Sequence, residues 1–390
     1  MKNLLFFILF IPGMLFSQQY DIVGNTNNFG FDLFRKIQST TTNVVFSPYS
    51  ISTALTMTNY GARTETEKQI MNVLHQKSNE KGYHTEFAAN MKLVSSKKNI
   101  TLNIANAIWA QKGYAFEPDF LAVMKDTYNS KAESADFVNN AENERLKINQ
   151  WVEKQTNNKI KNLLSQGVIN ALTRMVIVNA VYFYGNWHTE FDKSRTFSEK
   201  FHKTENQTIN CKYMFAERKF DYSENTNFQM LIIPYKNEEA SLLLFLPKVK
   251  NNLSNVISKF TQKEYSDLLN ARKKEEVELW LPKFKIESGF NLSDALIDMG
   301  MPLAFTDNAD FSGLSADNKL KISKVIHKAF IELDEKGTEA AAATAVIITT
   351  KSAHMNDFKV YFKATHPFIF VLKDNKTNLI LFMGVVVNPE

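Results

Sequence analysis

One stretch near the C-terminus, Gly337 to Ser352, limits the folds open to this chain more than any other. It starts as a run of alanines, the best helix formers, and continues into residues with branched Cβ atoms, which favour strands. Side chains of an extended segment alternate between two faces. Every even position from Thr338 to Thr350 is uncharged and small or β-branched, whereas the odd positions carry both charges, Glu339 and Lys351. This pattern predicts a central strand that buries its even face.

The ends of this stretch indicate a strand that starts outside a sheet. Gly337 has the freedom of a hinge, and the polar residues 351–357 are typical of an exposed loop tip. A surface helix or a flexible Ala/Thr linker is the simpler alternative for such a composition. The preceding segment favours the strand, because residues 325–336 alternate as a strand does and run directly into the glycine.

Four further segments of the chain are Phe46–Ser52, Asn179–Trp187, Ala364–Phe370 and Leu381–Pro389. Together with Val325–Lys336, they closely resemble segments of the serpin family, and the resemblance covers nearly all of the chain after its N-terminal apolar segment. The family fold that it implies is α+β, with three β-sheets, about nine helices and a metastable native state. It also implies an exposed reactive-centre loop at about residues 337–357.

The resemblance implies a protease inhibitor that acts as a suicide substrate. In the family, a target serine protease attacks a loop carbonyl and forms an acyl-enzyme, and the cleaved loop then inserts into the large sheet. Insertion carries the tethered protease to the opposite pole and distorts its active site before deacylation. If each new ladder hydrogen bond nets about 1 kcal/mol, a strand with partners on both sides favours insertion by roughly ten kcal/mol or more.

Counting from Gly337 as in the family places the scissile bond at Lys351–Ser352. A lysine before that bond suits proteases with an acidic specificity pocket, such as trypsin. The segment from Ser352 to Pro367 is longer than in many relatives, so cleavage after Thr350 or Ile348 by elastase-like proteases is an alternative. The expected partner is a trypsin-like serine protease in a covalent complex, with elastase-like proteases as the second choice.

The resemblance also assigns candidate residues to a hinge, to a shutter beneath the large sheet and to a breach where insertion starts. Hinge residues that enter first must be small or uncharged, because burying an unpaired charge is costly. His327 lies on an apolar strand face, where the default is a hydrogen-bonded core histidine and not a metal ligand or a base. The candidates are Glu335, Gly337, Thr338, Glu339, Ala340, Ala341, Ala342, Ala343 and Thr344 in the hinge, Ser47, Ser50, Asn179 and His327 in the shutter, and Trp187 in the breach.

Two other classes of function compete with inhibition. Some serpins do not inhibit but carry ligands or act as chaperones, and the small first residue Thr338 favours an inhibitor. The sequence has no nucleophile elbow, phosphate loop, glycine-rich dinucleotide turn or zinc-type pair of histidines, so we expect no enzyme, no cofactor and no metal site. A catalytic triad dispersed along the chain is the remaining enzyme alternative.

The N-terminus has the parts of a secretory signal, namely Met1-Lys2, the apolar residues 4–16 and a small residue at Ser17. The apolar segment is too short, and too interrupted by Pro12-Gly13, to span a bilayer. We therefore expect residues 1–17 to be removed and residues 18–390 to form a single serpin domain. The expected product is a monomer without membrane association, secreted to the extracellular space or the periplasm.

Cysteine content and charge indicate no further partner. The single cysteine, Cys211, can form no internal disulfide, and we expect a structural thiol rather than a catalytic one. The net charge of +5 is small for 390 residues. An acidic pair follows the basic run 272–274, so we expect a solvated helix face there and no nucleic-acid binding. A faint basic patch consists of Lys92, Lys97 and Lys98.

Apolar spacing predicts a mostly helical N-terminal part and mostly strands after Phe228. One helix should begin after Ser47, a good N-cap before a proline, and another at a capping box of Thr64 and Glu67. Asn179 interrupts an otherwise apolar, doubly buried strand, so its amide must be hydrogen-bonded. The main strand predictions are residues 100–111, 175–184, 230–235, 241–246, 277–281, 283–287, 325–335, 368–372 and 379–387.

Overall fold

The computed structural model describes residues 20–250, 253–316, 320–338 and 359–390. The predicted signal peptide, the reactive bond Lys351–Ser352 and the hinge residues from Glu339 to Thr344 lie outside these residues. None of the helices within them is long and apolar enough to cross a membrane. The nine α-helices in the described residues are α1 (Ile22–Ile37), α2 (Pro48–Tyr60), α3 (Thr64–Val73), α4 (Lys81–Ser95), α5 (Pro118–Asp126), α6 (Phe137–Gln155), α7 (Leu253–Ile257), α8 (Gln262–Asn270) and α9 (Ser293–Met299).

The described strands form two sheets, so the predicted α+β class is confirmed. They are β1 (Val44–Phe46), β2 (Ile100–Gln111), β3 (Lys131–Ala135), β4 (Met175–Asn186), β5 (Phe197–His202), β6 (Thr208–Glu224), β7 (Phe228–Pro234), β8 (Ala240–Pro247), β9 (Lys273–Pro282), β10 (Phe284–Asn291), β11 (Lys324–Leu333), β12 (Gly337–Thr338), β13 (Val360–Lys363), β14 (Phe368–Asp374) and β15 (Ile380–Val386). The six-stranded sheet has the order β10-β11-β12-β4-β2-β3. The nine-stranded sheet has the order β1-β15-β14-β8-β7-β6-β9-β13, with β5 beside β6.

The long strand β6 explains why three expected sheets appear as two. Its first residues pair with β5, its last residues pair with β7, and the residues between pair with β9. β6 therefore belongs to two lobes of the nine-stranded sheet, one with β5, β9 and β13 and the other with β7, β8, β14, β15 and β1. With the lobes counted separately, the described strands make three sheets.

The six-stranded sheet contains the parallel pairing of β4 with β11, which we call the seam. The seam runs from Lys324 opposite Val176 to Phe330 opposite Tyr182. Both strands are almost wholly buried, as the nearly continuous apolar run of β4 predicted. The inner face packs against the nine-stranded sheet and the N-terminal helices, and the outer face packs under α6. A strand that entered the seam would be buried on both faces.

α2 brings two serines to the inner face of the six-stranded sheet. As predicted, Ser47 caps the helix, because its Oγ accepts a hydrogen bond from the Ser50 amide at 3.1 Å, and Pro48 occupies the first turn. Every residue of α2 except Tyr60 is buried, and the helix packs against β2, β4 and β15. The N-terminus of α2 therefore lies directly beneath the seam.

Two local predictions fail, and some elements were not predicted. Thr64 does not cap α3, because Arg63 is the N-cap residue and the Thr64 hydroxyl instead donates to Asp310 Oδ2 at 3.1 Å. The basic run 272–274 is exposed as expected but begins β9 instead of lying on a helix, since α8 ends before it. The strands β5 and β6 and the helix α4 have no counterpart among the predictions, because their apolar residues are interrupted by many polar ones.

Candidate functional site

The two residues of β12 occupy the first position between β4 and β11, at the end of the seam. Thr338 pairs antiparallel with Leu333 on one side and with Gly185 on the other. Beyond this point β4 and β11 pair directly with each other. Gly337 and Thr338 therefore lie between β4 and β11, at the place where the sheet divides.

Gly337 is required here by a close approach of two backbones. A Cβ atom at this position would lie 2.1 Å from the Gly185 carbonyl oxygen and 2.7 Å from the Asn186 Cα. Contacts this short do not occur for real Cβ atoms, and neither partner is a side chain that could move aside. The predicted hinge glycine thus allows β12 to approach β4.

Thr338 faces the interior and is fully buried. Its Oγ1 lies 2.5 Å from the Tyr235 hydroxyl, in a hydrogen bond that either group can donate. The Tyr235 ring stacks on Trp187, with ring centroids 4.5 Å apart. Trp187 in turn donates from Nε1 to the Asp334 carbonyl at 2.9 Å and from its backbone N–H to the Lys336 carbonyl at 2.8 Å. The residue assigned to the breach therefore touches the turn that leads into the hinge.

Glu335 anchors the same turn from the other side. Its carboxylate accepts hydrogen bonds at 2.8 Å from Lys283 Nζ and at 2.8 Å from Thr196 Oγ1. Burial raises the pKa of the Glu335 carboxyl, but the hydrogen bonds from Lys283, from the backbone N–H of Glu335 and from Thr196 outweigh burial and hold the pKa below its ordinary value. Glu335 is thus an ionised, paired carboxylate at neutral pH, and we call Glu335, Trp187, Tyr235, Gly337 and Thr338 the breach cluster.

Beneath the seam, five polar residues from α2, β2, β4 and β11 form the shutter cluster, which consists of Ser47, Ser50, Asn106, Asn179 and His327. Asn179 Nδ2 donates to the Ser50 carbonyl at 2.8 Å, to Ser50 Oγ at 2.5 Å and to Asn106 Oδ1. All five side chains are buried. The Asn179 amide is hydrogen-bonded, as predicted for a lone polar residue in an apolar strand.

The partners of His327 fix its tautomer. The Ser47 amide donates to His327 Nε2 at 3.2 Å, so Nε2 must be the acceptor and Nδ1 carries the proton, which it donates to Asn179 Oδ1. A second proton on Nε2 would point at the Ser47 N–H. Burial lowers the pKa of His327 to about 3 from its ordinary value of 6.5. His327 is thus a neutral, hydrogen-bonded core histidine that joins β4, β11 and α2.

The neutral state of His327 predicts a pH dependence of stability. The pKa of this group is lower in the folded than in the unfolded chain, so the free energy of unfolding is fully supported above pH 6.5 and falls as pH drops toward about 3. Between pH 6 and pH 4, the free energy of unfolding should fall with decreasing pH more steeply in the wild type than in a His327→Gln variant. The difference between the two slopes should be about 1.4 kcal/mol per pH unit. Chemical denaturation at several pH values measures both slopes, and parallel slopes would contradict a neutral His327.

The structure brings the candidate residues of the described chain into two groups along one line of the sheet. The shutter cluster brings together Ser47, Ser50, Asn179 and His327. It lies about 20 Å from the breach cluster, because six residues of a strand separate the two clusters. Sequence reasoning missed four further contacts. These are Asn106 in the shutter cluster, and Tyr235, Lys283 and Thr196 at the breach.

Two other residues considered in the sequence analysis, Lys97 and Cys211, have structural roles. Lys97, part of the faint basic patch, lies 2.7 Å from Asp374 Oδ2, a carboxylate with no solvent exposure. That charge is therefore paired inside the fold and does not contribute to an exposed basic patch. Cys211 is buried in β6, and burial raises the pKa of its thiol, as expected of a structural cysteine.

A family model described as Serpin (serine protease inhibitor) matches residues 24–389. An uncharacterized serpin-like protein of Thermococcus kodakarensis is 39% identical over 376 residues, which are 96% of this chain and 87% of that protein. The leukocyte elastase inhibitor of Xenopus tropicalis is 38% identical over 374 residues, which are 93% of this chain and 98% of that protein.

Solved structures share the fold over almost the whole chain. The crystal structure of Serpin48 from the insect Tenebrio molitor matches with a TM-score of 0.87 and 30% identity, covering 97% of this chain and 100% of that one. Human thyroxine-binding globulin complexed with thyroxine matches with a TM-score of 0.86 and 30% identity, covering 95% of this chain and 99% of that one.

Proposed function

The chain belongs to the serpin family, and from this premise we propose that it is a suicide-substrate inhibitor of trypsin-like serine proteases. Members of this family are mostly protease inhibitors and not enzymes. The proposal adds a target class and an insertion mechanism to that membership. The observation that carries it is the position of β12, which is already seated between β4 and β11.

The register of β12 predicts where the rest of the loop lies after cleavage. In an antiparallel ladder, each step forward on one strand is a step back on its neighbour. Six residues beyond Thr338, Thr344 therefore falls opposite His327 of β11 and Asn179 of β4. These two residues already lie opposite each other across the seam. A single register of the inserted strand therefore pairs with both β4 and β11.

The same register predicts which side chains become buried. Thr338 faces the interior, and the other even positions, Ala340, Ala342 and Thr344, share its face in an extended strand. Ala342 would meet Ala329 and Val181, which belong to the apolar cluster between the two sheets. Thr344 would bring a hydroxyl between Asn179 and His327, where a polar group finds hydrogen-bond partners. The alternation of side chains along the loop thus matches the polarity of the residues that its even positions would contact.

The proposed reaction begins with a normal proteolytic step. The catalytic serine of the target attacks the carbonyl carbon of Lys351, the bond to the Ser352 nitrogen breaks, and that nitrogen takes a proton and leaves as an amine. Lys351 remains attached to the protease through an ester. The freed strand then enters the seam and replaces one parallel ladder with two antiparallel ladders, which are the more stable kind of pairing. Insertion moves the ester-linked protease along the sheet.

A ligand carrier or chaperone is the second candidate, because thyroxine-binding globulin was solved with a bound ligand on the same fold. The hinge supports inhibition over this alternative. Thr338 enters first and is uncharged, and its buried hydroxyl is already paired with Tyr235. Insertion of this residue therefore leaves no unpaired buried charge, which would cost several kcal/mol.

Trypsin tests the proposed target class. We expect the mature protein to form a covalent complex with trypsin that survives boiling in detergent, and the released C-terminal fragment to begin at Ser352 by mass spectrometry. Lys351→Ala should slow complex formation about tenfold or more, because the acidic specificity pocket loses its partner. Lys376→Ala, which removes an exposed lysine from the turn between β14 and β15, is the matched control and should react as the wild type does.

Two results would count against this assignment. Cleaved protein without any complex would mean that the chain is a substrate and not an inhibitor. A fragment that begins one or three residues before Ser352, at Lys351 or at Thr349, produced by elastase, would favour the elastase-like register after Thr350 or Ile348.

The proposal includes export. The apolar N-terminal segment supports a signal peptide that ends at Ser17, so that residues 18–390 act as a monomeric domain in the extracellular space or the periplasm. N-terminal sequencing of the exported protein tests this, with Gln18 as the expected first residue. A protein retained in the cytoplasm with Met1 intact would contradict it.

A further inference from the structure

Arg218 of β6 is a half-buried cation on the inner side of the strand. Its guanidinium carbon lies 5.0 Å from the ring centroid of Phe220 and 5.5 Å from that of Phe191. One nitrogen, Nη2, donates to the Thr189 carbonyl at 3.0 Å. In the part of the chain that the structure describes, the side chain forms no ion pair with a carboxylate, and no nearby charge alters its pKa.

The guanidinium is thus desolvated without a neutralising partner. Burial lowers the pKa of Arg218 to about 10, which still leaves it a cation at neutral pH. The group carries five N–H donors, and one of them is used by Thr189. Aromatic rings beside a guanidinium leave its donors free at the edges of the plane. The residue is partly exposed, so an ion from solvent can reach those edges.

Arg195 shows what a satisfied arginine looks like on the same lobe. Its guanidinium carbon lies 4.0 Å from the Phe215 ring centroid, which is the same kind of aromatic contact. Unlike Arg218, however, Arg195 is paired with Glu217 at 3.8 Å. An aromatic contact therefore does not by itself explain why Arg218 lacks a carboxylate partner, since Arg195 has both.

We propose that Arg218 is the centre of a binding site for a small oxyanion, namely a phosphate, sulfate or carboxylate group. A planar guanidinium binds two oxygens of such a group side by side, which supplies the missing negative charge together with geometric selectivity. The anion would complete an environment that already provides the aromatic walls and one fixed hydrogen bond. No residue of the proposed protease reaction is needed for this binding.

The site is connected to the hinge through one segment. Thr189 and Phe191, which contact Arg218, belong to the segment between β4 and β5, and the Phe191 amide donates to the Glu335 carbonyl at 2.8 Å. A bound anion would steady that segment and with it the turn before β12. This effect on the hinge, unlike the binding itself, rests on the proposed function.

Isothermal titration calorimetry of the intact mature protein with inorganic phosphate tests the site. Chloride salt keeps the ionic strength constant during the titration. We expect saturable binding with a dissociation constant of order 1 mM, as one bidentate charged contact supplies. Arg218→Met should abolish the heat, and Arg218→Lys, which keeps the charge but loses the fork, should weaken binding severalfold. Arg195→Met is the matched control and should bind as the wild type does.

Equal phosphate binding by the wild type and Arg218→Met would overturn the site, as would the absence of saturable heat in the wild type. If Arg218→Met fails to fold, Arg218→Lys decides, and undiminished affinity in that variant would equally overturn it. The titration contains no protease, so its outcome is independent of whether trypsin is trapped. For the hinge, phosphate should raise the number of inhibitor molecules consumed per trapped trypsin in the wild type, and an unchanged number would exclude that connection.

Discussion

Cleavage of the reactive-centre loop is expected to raise the melting temperature of the protein by about 15 °C or more. The intact chain holds β4 and β11 together through a parallel ladder that ends at Phe330 opposite Tyr182. A strand inserted in the register of β12 pairs with both neighbours and buries its even face. The roughly ten kcal/mol gained in ladder bonds far exceeds the effect of a single substitution.

Calorimetry of intact and nicked protein measures this difference. The nicked form is prepared with a protease that cuts the loop without being trapped, so that the covalent complex does not contribute. The Thr338→Arg variant, nicked in the same way, provides the comparison and should gain much less. Equal melting temperatures for intact and nicked wild type would exclude insertion as the driving step.

The second large effect is expected for Thr338→Arg, which should reduce the yield of covalent complex with trypsin about tenfold or more. Thr338 has no solvent exposure, and its hydroxyl is 2.5 Å from that of Tyr235. An arginine here must bring a charge without a carboxylate partner beneath the stacked rings of Tyr235 and Trp187. Slower insertion gives the acyl-enzyme time to hydrolyse, so trypsin should cleave the variant and remain active.

Glu339→Arg is the matched control, because it places the same side chain one residue later. In an extended strand this position faces the opposite side, away from Tyr235. Complex formation should therefore be retained. A similar loss in both variants would show that the alternation of faces does not govern insertion, whereas a loss in Thr338→Arg alone would support it. Gel electrophoresis with residual trypsin activity reads both outcomes.

The predictions that held depend on local geometry. The nearly continuous apolar run of β4 indicates a strand buried on both faces, and the alternation in β11 follows from the period of a strand, whatever its neighbours are. Ser47 caps α2 because a serine before a proline favours that position in any fold. Asn179 had to be hydrogen-bonded because a buried amide is costly when unpaired.

The contacts that could not be predicted join residues far apart in the chain. Nothing about Tyr235 or Lys283 in the sequence indicates that they contact Thr338 and Glu335, because Tyr235 follows β7 of the other sheet and Lys283 lies between β9 and β10. Asn106 gave the same signal as Asn179, a polar residue within an apolar run, but the register of β2 against β4 was needed to bring the two together. The family resemblance grouped the shutter residues, and the hydrogen bonds gave each its partner.

The seam has a consequence for how the sheet can change without unfolding. Strands joined by a tight hairpin cannot separate unless the connecting turn is also broken. β4 and β11 are linked by no such turn, since β5 to β10 lie between them in the chain. The six-stranded sheet can therefore open along this line, with β10 and β11 on one side and β4, β2 and β3 on the other, without breaking a hairpin turn.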